Sequence, residues 1–564
     1  MKILDSRRLT GRGLLLDRPG ALLDVAFDRE EETAAVALWQ EAARGLLDAL
    51  GLGGATLAVR RFPGGASLAF SAPIDILYTA TEINEAALEA ARAALAGEPV
   101  PPLEEEVARL SGLLRAEANP RLLALEAAAG ARGVAFLWDG ESVSVGLGTG
   151  SLTFPLVDLP APEEVDWPRV HDVPVALVTG TNGKTTTVRL AAAMAGAAGR
   201  TVGSTSTDRI QVGDEVIDRG DYSGPGGART LLRDRRVEIA ILETARGGLL
   251  RRGLALERVA AALVTNIAAD HLGEYGIQDL PGLAEAKLVV ARAVSPGGRV
   301  ILNADDPALA AAPRLFPAPI TWFTLDPETA RGALKTGAEA AFLDGDQLVF
   351  ARGDARTTVA TVADVPIAHG GAARYNLANA LGAIVLANAL GLPVEAMAEG
   401  LARFGTGPED NLGRANLVAI GGFRILLDYA HNPHGLAALA ELARTFPAQR
   451  RLLLLGQAGD RDDEAIRELA RTAWSLQPDH IVLKEMPAML RGRAPGEISA
   501  LLEAELRRLG APPESLEKAG SEIEGVERAL AWARPGDLLI LPVHTDRDAV
   551  LARLGAQPEA SPQR

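Results

Sequence analysis

The stretch VALVTGTNGKTTTVRLAAAMA (residues 175–195) decides how the rest of the chain reads. Apolar residues Val175 to Val178 have the character of a buried strand, and Gly180-Thr181-Asn182-Gly183 turns tightly. Lys184, Thr185 and Thr186 then open an alanine-rich helix. Glycines let backbone N–H groups close around phosphate oxygens, and the helix N-terminus behind them adds partial positive charge. In such a turn Lys184 would reach the outer phosphates of a nucleotide, and the Thr185 hydroxyl would bind Mg²⁺. The spacing departs from the common phosphate loop, because Val178 stands where its first glycine would be. Strand, turn and helix nonetheless follow in the order the motif requires.

Working outward, apolar runs alternate with helical patterns from Val173 onward: VPVALVTG, VEIAILETA, VAAALVTNIA, GRVILNADD, FRILLDYAHN, RRLLLLGQAGD, DHIVLKE and GDLLILPVHT. Strands apolar throughout and separated by helices imply parallel sheets buried on both faces. Open sheets of this kind bind ligands at the C-terminal ends of their strands. Glu243 stands there after VEIAIL, Asn266 after ALVT, and Asp270-His271 just beyond. Mg²⁺ favours oxygen ligands, often one or two carboxylates together with substrate phosphates, and Glu243 suits that role. A lone histidine more often satisfies a structural bond. His271 becomes a candidate ligand by following a strand end beside an acid.

At 564 residues the chain is too long for one core and should divide into about three or four domains. Short strand-like runs (Ala21 to Phe27, Ala55 to Arg60, Ala66 to Phe70) mixed with helical ones (Glu31 to Leu50, Asn84 to Ala96) predict a small α+β domain over 1–100. A short connecting region follows over 101–168, then a central parallel α/β domain of P-loop type over 169–408 and a Rossmann-like α/β domain over 409–564. The net charge of −16 argues against a nucleic-acid partner. The absence of cysteine excludes disulfides and thiolate metal sites and suits a reducing compartment. The N-terminus MKILDSRRLTGRG lacks a signal-type apolar core, and no stretch reaches transmembrane length. We expect a cytoplasmic protein without a membrane partner.

The motifs now become specific. GTNGKTT, the strand-end Glu243, TNIAADHL (265–272), Ala286-Lys287, NADDP (303–307), YNLANA (375–380) and DYAHNP (428–433) occur in the order seen in Mur ligases. Within that family the chain most resembles the Mur-like half of cyanophycin synthetases. The residues responsible are STSTDRIQVGDEVIDRGDYSGPGGAR (204–229), LETARGGLLRRGL (242–254), VTNIAADHLG (264–273), GRANL (413–417), AGDRDDE (458–464) and LRGRAPGEI (490–498). MKILDSRRLTG and LLALEAAAGARGVAFLWDGESVSVGLGTG (122–150) resemble the front of the same enzymes. Where an ATP-grasp module would follow Gly150, only a short linker leads to Val175. The resemblance also brings to mind an N-terminal H-x-x-E-H metal motif, which residue type excludes here, since the first histidine is His171.

The resemblance implies an ATP-dependent ligase that activates a carboxylate as an acyl phosphate and couples it to an amino-acid-like amine. Such a chain could not build the cyanophycin polymer alone. A second reading is a catalytically silent ATP-binding homologue acting as an assembly partner. By resemblance, Gly180, Thr181, Asn182, Gly183, Lys184, Thr185 and Thr186 hold the phosphates, and Asn376 with Asn379 lies on the adenine side. Arg414, Asp428 and His431 would meet the nucleotide from the C-terminal domain. Thr185 and Glu243 would hold one Mg²⁺, and His271 with a carbamylated Lys287 a second. Arg229 and Arg246 resemble residues that recognise the small-molecule or peptide carboxylate. Lys484, Glu485, Arg491, Arg493 and Glu497 stand where the amine would be read. An acidic run is expected after Lys484-Glu485, but Met486-Pro487-Ala488-Met489 follows, which points away from arginine as the amine. The family often assembles, so a homo-oligomer is a further expectation.

Overall fold

The computed structural model describes residues 1–554 apart from 29, 313–315, 317, 408 and 409. The expected boundary at 408/409 and the last ten positions of the C-terminal domain, 555–564, lie outside the described residues.

The predicted α/β architecture is present, built among the described residues on four sheets. The first is a four-stranded antiparallel sheet in the order Lys2–Leu9, Gly20–Ala26, Gly65–Ser71, Leu57–Phe62. Helices Glu32–Ala49 and Leu77–Ala96 bury Trp39, Leu47 and Ile83 against it, forming the α+β unit. Helices Leu103–Glu117 and Pro120–Arg132 and a three-stranded meander, Phe136–Trp138, Ser142–Val145 and Leu152–Pro155, follow.

The large sheet has eleven strands. Its parallel part runs Val202–Thr205, Ile239–Glu243, Val175–Thr179, Val259–Val264, Val294–Asn303, Ile320–Thr324, Glu339–Asp344. Antiparallel strands extend it at both edges, Arg209–Val212 with Glu215–Arg219 on one side and Gln347–Arg352 with Ala355–Thr361 on the other. The central strands Val175–Thr179 and Ile239–Glu243 are buried along their whole length, as apolar strands covered on both faces must be. One face packs helices such as Leu280–Arg292, and the other packs Lys184–Ala197 and Arg374–Ala389. The edge hairpin Arg209–Val212 with Glu215–Arg219 is not read from the sequence, because short, half-polar strands resemble loop sequence.

The last sheet has six strands in the order Asn416–Ile420, Phe423–Asp428, Leu538–Pro542, Arg451–Leu455, His480–Lys484, Leu516–Ala519. All are parallel except the first. Among the described residues no helix is long and apolar enough to cross a membrane.

Candidate active site

Strand order sets the site. Val175–Thr179 lies between Ile239–Glu243 and Val259–Val264, so the glycine turn, Glu243 and Asn266 meet at one sheet edge. The turn is fixed from behind. Thr181 N donates to Asn266 O at 2.9 Å and Asn182 N to Asn266 Oδ1 at 2.9 Å, while Thr265 Oγ1 donates to Asn182 O at 2.6 Å. Gly180 and Gly183 have φ of 146° and 83°, backbone that favours glycine. A Cβ would lie 1.8 Å from Thr265 Oγ1 at Gly180 and 2.3 Å from Asn379 Oδ1 at Gly183. Lys184 Nζ folds back to donate to Thr181 O at 3.0 Å, and Thr186 Oγ1 donates to Asn411 Oδ1 at 3.4 Å.

Thr185 Oγ1 donates to Glu243 Oε2 at 2.8 Å. Glu243 is 2% exposed, and its Oε1 is buried with no hydrogen-bond partner among the described residues. A buried oxygen left unpaired is costly, so a half-used carboxylate beside a hydroxyl marks a place for a hard cation. The donor set fits Mg²⁺, and the turn, too tight for a Cβ, fits a phosphate.

Lys287 comes from the helix Leu280–Arg292 on the opposite wall, and its Nζ donates to Gly180 O at 2.8 Å. Burial pushes its amine well below the usual lysine range, the nearby Lys184 and Arg246 charges push the same way, and Asp270 opposes them. Carbamylation by carbon dioxide needs an uncharged amine, the form toward which burial shifts Lys287.

His271 sits in left-handed backbone (φ 52°) in the loop before that helix. Its Nδ1 lies 3.2 Å from Glu274 Oε1, 3.6 Å from Asp460 Oδ2 and 3.0 Å from Arg461 Nη1. Arg246 donates to His271 O at 2.8 Å and pairs with Glu274. His271 first, then Arg246, holds the Glu274 carboxyl down to about 2 against its burial. Next to it, burial would raise Asp270, but His431, His271 and Arg461 together hold it well below the usual carboxylate range. Arg461 Nη2 donates to Asp270 at 2.8 Å, and His431 Nε2 lies 3.4 Å away.

The C-terminal sheet supplies the facing wall. The cleft between the two sheets encloses roughly 690 Å³ and is lined from that side by Arg414, Asp428, Tyr429 and His431. Arg414 lies over the Tyr429 ring at 4.4 Å with a buried, unpartnered Nε. Asp428 accepts N–H bonds from Ala415 and Ala430, both at 2.7 Å, and burial raises its carboxyl. Asn182 and Asn432 exchange side-chain bonds across the gap at 3.2 and 3.1 Å. Asn376 lines the cleft too, its Nδ2 donating to Ile367 O at 2.8 Å, with Asn379 donating to Asn376 Oδ1 at 3.3 Å.

Six residues singled out by sequence, Arg229, Lys484, Glu485, Arg491, Arg493 and Glu497, lie outside the cleft lining. Arg229 is buried and donates to Thr10 Oγ1 at 2.9 Å. Lys484 is 1% exposed, ion-paired to Glu522, and donates to Pro542 O at 2.6 Å. Arg493 braces a loop through Arg461 O at 2.7 Å and Glu497 at 2.6 Å, and Arg491 is exposed. Conversely, sequence reading passed over Glu274 and Arg461 as site residues. Arg461 hides inside AGDRDDE, whose acids dominate the pattern, and nothing local ties it to Asp270 far upstream.

Comparison with known proteins follows the same division. The Mur ligase middle domain matches residues 178–387, and the Mur ligase glutamate ligase domain matches 413–542. Cyanophycin synthetase of Trichormus variabilis is 37% identical over 385 residues, 68% of this chain and 42% of that protein. A UDP-N-acetylmuramoyl-L-alanyl-D-glutamate–2,6-diaminopimelate ligase of Geobacter metallireducens is 27% identical over 390 residues, 65% of this chain and 73% of that protein. The fold is similar to Mycobacterium tuberculosis folylpolyglutamate synthase, solved with ADP and AMPPCP, at a TM-score of 0.50 and 18% identity over 69% of this chain and 92% of that one. The match thus spans less than half the length of the cyanophycin synthetase.

Proposed function

This chain belongs to the Mur ligase family, and from that premise we propose that it is an ATP-dependent ligase joining a carboxylate to an amino-acid-like amine. The observation that carries the proposal is the Thr185–Glu243 pair, with its unpartnered carboxylate oxygen, at the mouth of the glycine turn.

A carboxylate is inert toward amines until one of its oxygens leaves with phosphate. In the proposed reaction a carboxylate oxygen bonds to the γ-phosphorus and ADP departs. The amine nitrogen then bonds to the acyl carbon, phosphate departs, and the nitrogen gives up a proton. Catalysis of phosphoryl transfer rests on positioning and charge neutralisation. The turn amides and Lys184 hold the phosphates. Thr185 and Glu243 hold one Mg²⁺, and His271 with carbamylated Lys287 the second. Bound there, the cations supply neutralisation of charge on the transferring phosphoryl group. Arg246 fixes the His271 loop on the acceptor side, and Arg414 meets the phosphates from the facing wall. A cleft closed by two sheets keeps water from an acyl phosphate that would otherwise hydrolyse.

The roles follow the segments: 169–408 binds nucleotide, 409–564 closes on it and presents the amine, and 1–100 with 101–168 packs beside them. The amine is less cationic than arginine, because Met486 to Met489 replaces the acidic run that a guanidinium would want. Arginine with aspartate should therefore be a poor pair.

The test is a screen of amino acids and dipeptides for substrate-dependent ADP release, with mass spectrometry of the product. Lys184→Ala should lower turnover by at least ~10³-fold with every pair. Turnover retained in that variant, or ADP release without an amide product, overturns the proposal. Nucleotide binding without turnover would favour the silent homologue.

A further inference from the structure

We infer that the N-terminal α+β unit is a brace for the acceptor-and-second-cation side of the cleft, with Arg60 as its chief positioning residue. The inference rests on the ligase reading above. Three elements carry that side of the site: the helix Arg246–Arg252, the loop from His271 to Ile277, and the helix Leu280–Arg292 with Lys287. The N-terminal unit grips all three.

On the loop, Arg60 Nη1 donates to Gly276 O at 2.7 Å. The Phe62 ring presses on the same residue so closely that a Cβ at Gly276 would stand 2.5 Å from it. The Arg7 guanidinium covers the Tyr275 ring at 4.9 Å. Arg7 is itself fixed by Asp24 at 2.6 Å, with both side chains almost wholly buried. On the helix that begins with Arg246, Arg7 Nε donates to Leu250 O at 3.0 Å and Thr10 N to Arg252 O at 2.7 Å. On the Lys287 helix, Arg292 donates to Gly13 O at 3.0 Å and pairs with Asp17 at 2.7 Å, while Arg60 lies 3.7 Å from Glu285.

The loop needs this grip. His271, Gly273, Tyr275 and Gly276 all have positive φ (52°, 94°, 53° and 70°), and residues with side chains adopt such backbone only where surroundings impose it. The fold supplies that imposition from outside the central sheet. Among the described residues no hydrogen bond or ion pair links the N-terminal unit to the helix Lys184–Ala197. The brace therefore acts directly on one half of the site and reaches the phosphate turn at second hand, through Lys287 and its bond to Gly180 O at 2.8 Å.

The experiment compares full-length wild type, Arg60→Ala and Arg60→Lys. Mn²⁺ binding is titrated by electron paramagnetic resonance with a non-hydrolysable ATP analogue, and amide hydrogen exchange is followed over 271–277. Arg60→Ala should weaken the second Mn²⁺ about fivefold to tenfold, the cost of one part-buried hydrogen bond. Exchange over 271–277 should quicken, and affinity for the analogue should stay within about twofold of wild type. Arg60→Lys, which can still donate to Gly276 O, should recover most of the loss. Unchanged second-site affinity in Arg60→Ala overturns the brace, and so does an equal loss of analogue binding. Should wild type itself bind a single Mn²⁺, the two-cation reading of the site fails; hydrogen exchange over 271–277 then decides the brace alone.

Discussion

Two lysines, one in the central cleft and one in the C-terminal core, show what burial alone does and does not mark. Lys287 and Lys484 are both buried, 5% and 1% exposed, and burial lowers the amine of each. Their partners differ. Lys484 pairs with Glu522, donates to Pro542 O at 2.6 Å and meets His544 Nδ1 at 3.2 Å. Glu522 is itself held down to about 2: burial would raise it, but Lys484, the Asp546 N–H and His544 prevail. Lys287 forms no ion pair among the described residues: it donates to the Gly180 carbonyl at 2.8 Å, with Lys184 and Arg246 as cationic neighbours and the Asp270 charge opposing them from a distance. An ion-paired buried lysine closes on itself and holds structure; one facing a carbonyl and other cations keeps an amine that chemistry can use.

The comparison breaks most readily at Lys287. Lys287→Met should lower ligation by about 10³-fold or more, as expected for loss of a group organising phosphoryl transfer. The same variant should keep its stability or gain about 1 kcal/mol in urea denaturation, because no carboxylate is left unpaired. Since the folded amine sits below its unfolded value, the unfolded chain binds more protons between that lowered value and pH about 10.5. In carbonate-free buffer, wild-type stability should therefore rise with pH in that window, and Lys287→Met should flatten the slope. With ¹³C-bicarbonate, wild type should show a carbamate carbon signal that Lys287→Met lacks. A full rate in this variant would mean that the two lysines are alike after all.

The same pair shows how far sequence reading reached. The glycine turn, Glu243 and Asp270-His271 were legible because strand-end position and residue type are local properties, and parallel-sheet order brings local signals together. The apolar strands of both large sheets were legible for the same reason. Lys484 was not, since its fate is set by Glu522 and His544, which lie in other elements of the C-terminal sheet's surroundings. Arg229 likewise stands beside the GDYSGPGG loop in sequence, yet points to Thr10 of the N-terminal unit. Long side chains that choose among distant partners leave no periodic trace. Edge strands such as Arg209–Val212 were missed because half-exposed strands carry the polar alternation that loops also show.

At Lys484 the contrast predicts a stability effect. Lys484→Met should cost about 3–5 kcal/mol in urea denaturation, because Glu522 would remain charged and buried without its partner. Adding Glu522→Gln should restore most of that loss, which a double-mutant cycle would read as coupling. Lys287→Met has no such compensating partner to find. If Lys484→Met proved as mild as Lys287→Met, the ion pair would not be what separates the two sites.

The acid side offers the mirror image at smaller scale. Glu126, on the helix Pro120–Arg132, has its carboxyl pushed up to about 7 by burial and then by Glu257 and Asp75, with Arg18 opposing. Because the folded group holds its proton where the unfolded one has released it, stability from this site is full below pH about 4.5 and falls as pH rises through 7. The group keeps some contact with solvent, so after discounting for screening the loss by pH 8 should be about 1 kcal/mol. Glu126→Gln should match wild type in thermal unfolding near pH 4.5 and exceed it at pH 8. A gain equal at both pH values would trace to packing instead of charge. It would confine the effect of an unpaired buried charge on stability to the Lys287 amine, whereas the predicted crossover would extend the rule from amines to acids.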